Sequence, residues 1–145
     1  MQALDRKQST IGVFLDLSKA VDTINHNILL YKLHFYGVRG LANQWFESYL
    51  HNRKQYVNVQ NEDSECMPIT CGALQGSVLG PILFLIYVND LPDNIQSSNW
   101  TLFADDTTLY QSGSNLNDLY DNMSSDLNNL NDWFLANKLS LNIKK

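Results

Sequence analysis

The chain has 145 residues, of which 44% are hydrophobic, so it can bury the core of one folded domain and is not intrinsically disordered. Its formal net charge of −5 argues against a general nucleic-acid binder, because phosphate binding depends on lysine and arginine. Two cysteines exclude a disulfide scaffold, and no apolar run reaches the roughly 20 residues that span a bilayer. Because the N-terminus lacks a signal-peptide pattern, we expect an intracellular protein without a membrane segment.

The spacing of apolar residues and the positions of capping residues predict four helices and several short strands. The helices are predicted at 25–36, 40–50, 78–90 and 115–137. The strands are predicted at 11–16, 55–60, 67–71, 100–104 and 107–111, and another begins at 139–143. Strands and helices intermix with hairpins, which predicts an α+β fold with an antiparallel sheet and helices packed mainly on one face. The helix at 78–90 is apolar all round, so we expect it to be central to a core.

The charges are distributed unevenly along the chain. Between residues 55 and 137 there are eleven acidic residues and no lysine or arginine. This stretch is either an ordinary acidic surface or a centre that gathers carboxylates for a divalent metal ion. Composition alone favours the first interpretation.

Three aspartates lie beside predicted core strands. Asp16 ends the first strand, and Asp105 and Asp106 join the two strands of the 100–111 hairpin. Carboxylates in such places are costly unless they are solvated, hydrogen-bonded or neutralised, and a bound Mg²⁺ removes that cost. If the first strand lies beside the hairpin, Asp16 and Asp105 converge on a two-metal site. The alternative is a solvated hairpin tip, which is common for an Asp-Asp pair.

Five segments of the chain carry recognisable patterns in this order: FLDLSKAVDT at 14–23, SYL with NRKQ and Val57 at 48–57, QGSVLGP at 75–81, FADDT at 103–107, and NKLSLN at 137–142. Together they resemble the motifs of reverse transcriptases from non-LTR retrotransposons. The resemblance covers nearly the whole chain and implies the palm subdomain of an RNA-directed DNA polymerase across residues 1–145. It implies attack of a primer 3′-hydroxyl on a deoxynucleotide α-phosphate with release of pyrophosphate, on an RNA template with a DNA primer.

The same resemblance implies roles for particular residues. The implied catalytic residues are Asp16, Asp105 and Asp106. The implied ligands of Mg²⁺, or of Mn²⁺ in its place, are these three carboxylates and the Leu17 carbonyl. The implied nucleotide-binding residues are Val21, Gln75 and Gly76, and the implied primer-contacting residue is Ala104.

The chain departs from the family pattern in two places. Position 21 is normally aromatic, where the ring blocks a ribose 2′-hydroxyl, so Val21 predicts weaker discrimination against ribonucleotides. Position 74 is usually proline, which fixes φ, so Leu74 predicts looser placement of Gln75.

The resemblance also implies that the fingers and thumb of a parent polyprotein lie outside this chain.

Two other functions are kept as alternatives. The chain is then either a catalytically inactive retrotransposon-derived remnant, at most a weak binding module, or a nucleotide cyclase with a similar palm. A palm without its neighbours leaves apolar surface uncovered, so we expect aggregation or partial folding.

Overall fold

A computed structural model describes residues 8–74 and 76–142. The strands are β1 (Ser9–Asp16), β2 (Lys54–Gln55), β3 (Asn58–Val59), β4 (Glu62–Asp63), β5 (Met67–Pro68), β6 (Asn99–Phe103) and β7 (Asp106–Gly113). The helices are α1 (His26–Phe35), α2 (Leu41–Leu50), α3 (Leu79–Val88) and α4 (Leu116–Ala136), with 3₁₀ turns at Ala20–Thr23 and Leu91–Asn94. No described helix is both long and apolar enough to cross a bilayer.

The chain divides into two compact units. The first unit combines residues 1–20 with 88–145, and the second comprises residues 21–87. Both contain antiparallel pairs of strands and helices, so the expected α+β class is confirmed.

The first unit is built on a three-stranded antiparallel sheet with the strand order β1-β7-β6. Side chains alternate between the faces of a strand, so each register row places partners on one face. One face of the sheet is buried. On this face Val13 lies opposite Leu109, and Leu109 is fully buried. Helix α4 covers this face, and the Cδ2 atom of Leu119 lies 3.3 Å from the place that a Cβ on Gly113 would occupy. The expected arrangement of sheet and helix is therefore observed in this unit.

The opposite face of the same sheet is exposed. It is called the open face here and is defined by five side chains: Phe14, Asp16, Phe103, Asp106 and Tyr110. Phe14 is 81% exposed and Phe103 is 78% exposed. Two carboxylates and three aromatic rings thus share this face, on which Phe14 and Phe103 are largely exposed.

Helix α4 also holds the loop that leads into β6. Asp126 is 1% exposed, and its carboxylate accepts hydrogen bonds from the backbone N–H groups of Gln96, Ser97 and Ser98. Burial raises the pKa of Asp126, but these hydrogen bonds and that of the Ser98 side chain outweigh burial and lower it overall. An ionised carboxylate therefore fixes the start of the hairpin that carries Asp105 and Asp106.

The second unit contains α1, α2 and most of α3. The Asn25 side chain caps α1 by accepting from the N–H of Ile28 at 3.2 Å, as expected from the sequence. The single strand expected at 55–60 is wrong, because this stretch is two short strands in two separate ladders: β2 pairs with β5, and β3 pairs with β4. A turn with positive φ at Gln60 and Asn61 closes β3 onto β4 and separates the ladders.

Helix α3 is less central than its composition suggests. Leu83, Phe84 and Tyr87 are buried, whereas Ile82 and Leu85 are about half exposed. The expectation that this helix is central to a core holds for its buried face, and the exposure of Ile82 and Leu85 limits it to that face. One face packs inside the molecule and the other faces solvent.

Candidate functional site

Two of the three predicted carboxylates meet at one end of the sheet. β1 pairs with β7 in antiparallel fashion, and Asp16 stands directly opposite Asp106 in the register. Cβ atoms of such cross-strand partners are about 5 Å apart, and both side chains lie on the open face. The expected pairing of the first strand with the hairpin is thus observed, and the residue opposite Asp16 is Asp106.

Asp105 occupies a different position from the one expected. The hairpin tip was expected at Asp105 and Asp106, but β7 already begins at Asp106, and the tip is Ala104 and Asp105. Ala104 has φ of 54°, a left-handed conformation that alanine rarely adopts. A two-residue hairpin turn needs a residue with positive φ, and Ala104 is that residue. The turn is therefore 104–105, one residue before the expected 105–106. Asp105 therefore lies at the tip and Asp106 within the ladder.

The donor set suits a hard divalent cation. Mg²⁺ prefers oxygen ligands and is often held by one or two carboxylates together with substrate phosphates. Asp16 and Asp106 supply two carboxylates on one exposed surface, with Asp105 adjacent in sequence. Across residues 8–74 and 76–142, no group of three or more His, Cys, Asp or Glu side chains is close enough to hold a metal ion. The facing carboxylates of Asp16 and Asp106 fit a hard cation whose remaining ligands come from substrate oxygens and from groups next to them in the chain.

Leu17 follows Asp16 in the chain, and a backbone bridge sets the direction of its carbonyl. Leu17 forms an antiparallel bridge with Leu141, in which Ser18 N–H donates to the Ser140 carbonyl at 2.8 Å. The second bond of the bridge runs from Asn142 N–H to the Asp16 carbonyl, also at 2.8 Å. Because the flanking residues make these bonds, the Leu17 carbonyl is directed away from residues 139–142. The strand expected at 139–143 is this single bridge, and Ile143 lies outside the described residues.

Sequence reasoning missed one residue at this site. The side-chain amide of Asn142 donates a hydrogen bond to Asp16 Oδ2 at 3.0 Å. Asn142 ends the NKLSLN segment at 137–142, so its motif was noticed but no role was assigned to it. The contact could not be found from spacing, because 126 residues separate the two partners.

The predicted nucleotide-binding residues lie in the second unit. Val21 is half-buried, and its carbonyl accepts from the N–H of Ala73 at 3.0 Å. The N–H of Gly72 donates to the Ile24 carbonyl at 2.8 Å. These bonds attach the chain just after Val21 to the chain just before residues 74–76.

The turn that follows is closed by a serine. Ser77 Oγ donates to the Leu74 carbonyl at 2.7 Å and accepts from the N–H of Gly80 at 3.0 Å. Gly76 has φ of 77°, a conformation that glycine adopts without strain. Gln75 lies outside the described residues, so its predicted role is carried by the sequence alone.

The whole chain, residues 1–145, matches the family model described as reverse transcriptase (RNA-dependent DNA polymerase). The chain belongs to the reverse transcriptase family. It is 36% identical to the RNA-directed DNA polymerase from mobile element jockey of Drosophila melanogaster, over 63% of this chain and 10% of the relative. It is also 30% identical to a probable RNA-directed DNA polymerase from transposon BS of the same species, over 100% of this chain and 17% of the relative. The jockey relative of Drosophila funebris is 28% identical over 100% of this chain and 16% of its own length.

Membership in the reverse transcriptase family confirms the resemblance on which the sequence interpretation was based, including its retrotransposon origin. The fold fits a palm-like part of such an enzyme, with a hairpin and a neighbouring strand that bring acidic residues to one end of a sheet. The chain spans less than one fifth of each of these relatives.

Proposed function

We propose that this chain is the palm of an RNA-directed DNA polymerase that works inside the cell. Its substrates would be a deoxynucleoside triphosphate and a DNA primer annealed to an RNA template. The observation that carries the proposal is the register pair of Asp16 and Asp106 on the open face, in a chain that matches the reverse transcriptase family throughout. The fingers and thumb would be supplied by other parts of a larger polyprotein.

The roles proposed for the residues come from the resemblance to reverse transcriptases, and the register pair of Asp16 and Asp106 supports them. Asp16, Asp106 and Asp105 would bind Mg²⁺ or Mn²⁺, with the Leu17 carbonyl as a further ligand. A divalent cation in this place supplies charge neutralisation at the phosphates and a more acidic primer hydroxyl. Ala104, at the exposed hairpin tip, would lie against the primer end, where its small side chain leaves room. Val21, Gln75 and Gly76 would line the site of the incoming nucleotide.

The proposal is tested by replacing the matched segment of the transposon BS polymerase with this chain, because that relative aligns with all of it. We expect the chimera to extend a DNA primer on an RNA template, and Asp16→Asn or Asp106→Asn to lower the rate at least about 1,000-fold through loss of electrostatic stabilisation. Asp132→Asn, at an exposed acid of α4, is the matched control and should retain the parent rate. Primer extension assays measure each rate.

A folded chimera that does not extend the primer would contradict the proposal and favour a catalytically inactive remnant. Product formed from nucleotide without primer would favour a nucleotide cyclase. Circular dichroism of the purified chimera establishes that it is folded.

Position 21 gives a second test of the same site. A phenyl ring there should clash with a ribose 2′-hydroxyl, so Val21→Phe is expected to raise the preference for deoxynucleotides about tenfold or more. Single-nucleotide incorporation by the chimera, with each nucleotide type in turn, measures this preference. Val21→Leu, which adds volume without a ring, is the control. The same selectivity in Val21→Phe as in the parent would argue against a role for residue 21 in sugar discrimination.

A further inference from the structure

Asp16 is held from both edges of its strand. β7 lies along one edge and places Asp106 opposite Asp16. Because that edge is taken, residues 139–142 lie along the other, where the Leu17–Leu141 bridge forms. Asp16 therefore has a like-charged partner on one side and the amide of Asn142 on the other.

Asn142 contacts Asp16 through two separate groups. Its backbone N–H donates to the Asp16 carbonyl at 2.8 Å and is part of the bridge. Its side-chain Nδ2 donates to the carboxylate oxygen Oδ2 at 3.0 Å. The backbone bond aligns the two segments, whereas the side-chain bond acts only on the rotation of the carboxylate group.

That orientation matters because the Asp16 carboxylate faces a second carboxylate across the ladder, and its oxygens must point toward the cation in order to bind it. Repulsion from the carboxylate of Asp106 would drive the Asp16 side chain away from it. A hydrogen bond to an ionised acceptor is roughly twice as strong as one between neutral groups. The Asn142 amide can therefore hold Asp16 against this repulsion.

We propose that Asn142 is a positioning residue, whose side-chain amide holds the Asp16 carboxylate in the orientation that binds the divalent cation. This inference rests on the proposed function and adds a residue outside the group of metal ligands. Groups that orient a metal ligand by hydrogen bonding typically change metal affinity 10–100-fold when they are replaced. Loss of the amide is expected to act through the cation, because the backbone bridge remains in place.

The direct test uses the folded chimera with the transposon BS polymerase and Mn²⁺ as the probe, and electron paramagnetic resonance measures the concentration of free ion during the titration. Asn142→Leu keeps the approximate size of the side chain and removes its donor, and we expect Mn²⁺ to bind at least about tenfold more weakly. Asn142→Gln keeps a donor on a longer side chain and should recover part of the affinity. Ser140→Ala is the matched control, because Ser140 joins the same bridge through its backbone carbonyl.

A second measurement follows Mg²⁺ dependence in the BS chimera. With Asn142→Leu, the Mg²⁺ concentration for half-maximal extension should rise about tenfold, while the KM for primer stays at the parent value. A merely structural role would instead lower the melting temperature in the absence of metal and change both quantities.

The outcomes separate this inference from the proposed function. Mn²⁺ binding that depends on Asp16 but is the same in Asn142→Leu as in the parent would overturn the role of Asn142 and leave the metal site standing. Equal weakening by Ser140→Ala and Asn142→Leu would also overturn it. Mn²⁺ binding that Asp16→Asn leaves unchanged would contradict the metal site itself, and the role of Asn142 with it.

Discussion

Gly72 is a residue at which two segments of the second unit approach each other closely. A Cβ placed on it would lie 2.7 Å from the Asp22 carbonyl oxygen, and its φ is 84°. The imidazole Nε2 of His26 donates to the Gly72 carbonyl at 2.8 Å and holds the same contact from the other side. The absence of a side chain thus lets the chain before residues 74–76 lie directly on the chain after Val21.

We expect Gly72→Ala to lower the free energy of unfolding by about 2–4 kcal/mol, because it adds a backbone clash to a strained φ. Gly37→Ala is the matched control, since Gly37 also has positive φ but no atom lies within 4 Å of its Cβ position. Urea denaturation measures both variants. Equal losses in the two variants would mean that φ alone, and not the approach to Asp22, accounts for the cost.

Single residues also explain why the site could be predicted only in part. Asp16 and Asp106 were found because acids beside apolar strands are conspicuous in a sequence. The position of the hairpin tip was missed by one residue, because alanine at position 104 gives no signal of a left-handed turn. Asn142 was missed because a hydrogen bond over 126 residues leaves no local pattern.

Among the elements, the helices followed the sequence closely. Asn25 and Asn115 each cap a helix through their own side chains, and these contacts lie within three residues. The two ladders at 54–68 differ from the single strand predicted at 55–60. Two-residue strands depend on turn conformation and on their partners rather than on alternation of apolar residues. Signals within one helical turn were therefore sufficient for the helices, whereas the division of residues 55–60 between two ladders was not predictable.

Helix α4 and the loop 96–98 are coupled through one carboxylate. Asp126→Asn replaces an oxygen that accepts from backbone N–H groups by an amide that donates, so we expect a loss of about 2–3 kcal/mol at pH 7. Asp132 is an exposed acidic residue of the same helix. We expect Asp132→Asn to change the free energy of unfolding by less than about 0.5 kcal/mol. Urea denaturation near pH 7 measures both.

The same carboxylate predicts a dependence on pH. The folded-state pKa of Asp126 is lowered. Its contribution to the free energy of unfolding is therefore complete above the unfolded-state pKa and is lost as the pH falls through the folded-state pKa. The difference in stability between the parent and Asp126→Asn should therefore narrow between about pH 5 and pH 2. A difference that stays constant over this range would show that the ionised form of Asp126 is not what holds the loop.

At the scale of the whole molecule, the two faces of the three-stranded sheet differ in solvent exposure: one is buried, and the open face is exposed. Phe14 and Phe103 project from it beside Asp16 and Asp106. Exposed apolar surface of this kind promotes association. The sequence-based expectation of aggregation therefore has a defined location on the molecule, and it stays a prediction.

We expect the purified chain to self-associate as its concentration rises, and the double variant Phe14→Thr, Phe103→Thr to weaken this association about tenfold. Threonine suits exposed strand positions, so the sheet should persist. Tyr120→Thr on α4, which removes a similarly exposed ring elsewhere, is the control. Sedimentation equilibrium measures the association constants. A parent chain that remains monomeric at high concentration would contradict the prediction.

The bond between Asp16 and Asn142 also has a consequence for synthesis on the ribosome. At about 5–20 residues per second, the 126 residues between them take roughly 6–25 s to translate. One edge of β1 has no partner until β7 is made, and the other edge has none until residues 139–142 are made. A product that terminates between residues 113 and 139 could complete the sheet and still lack the amide beside Asp16. Translation through residue 142 therefore precedes assembly of the site around Asp16.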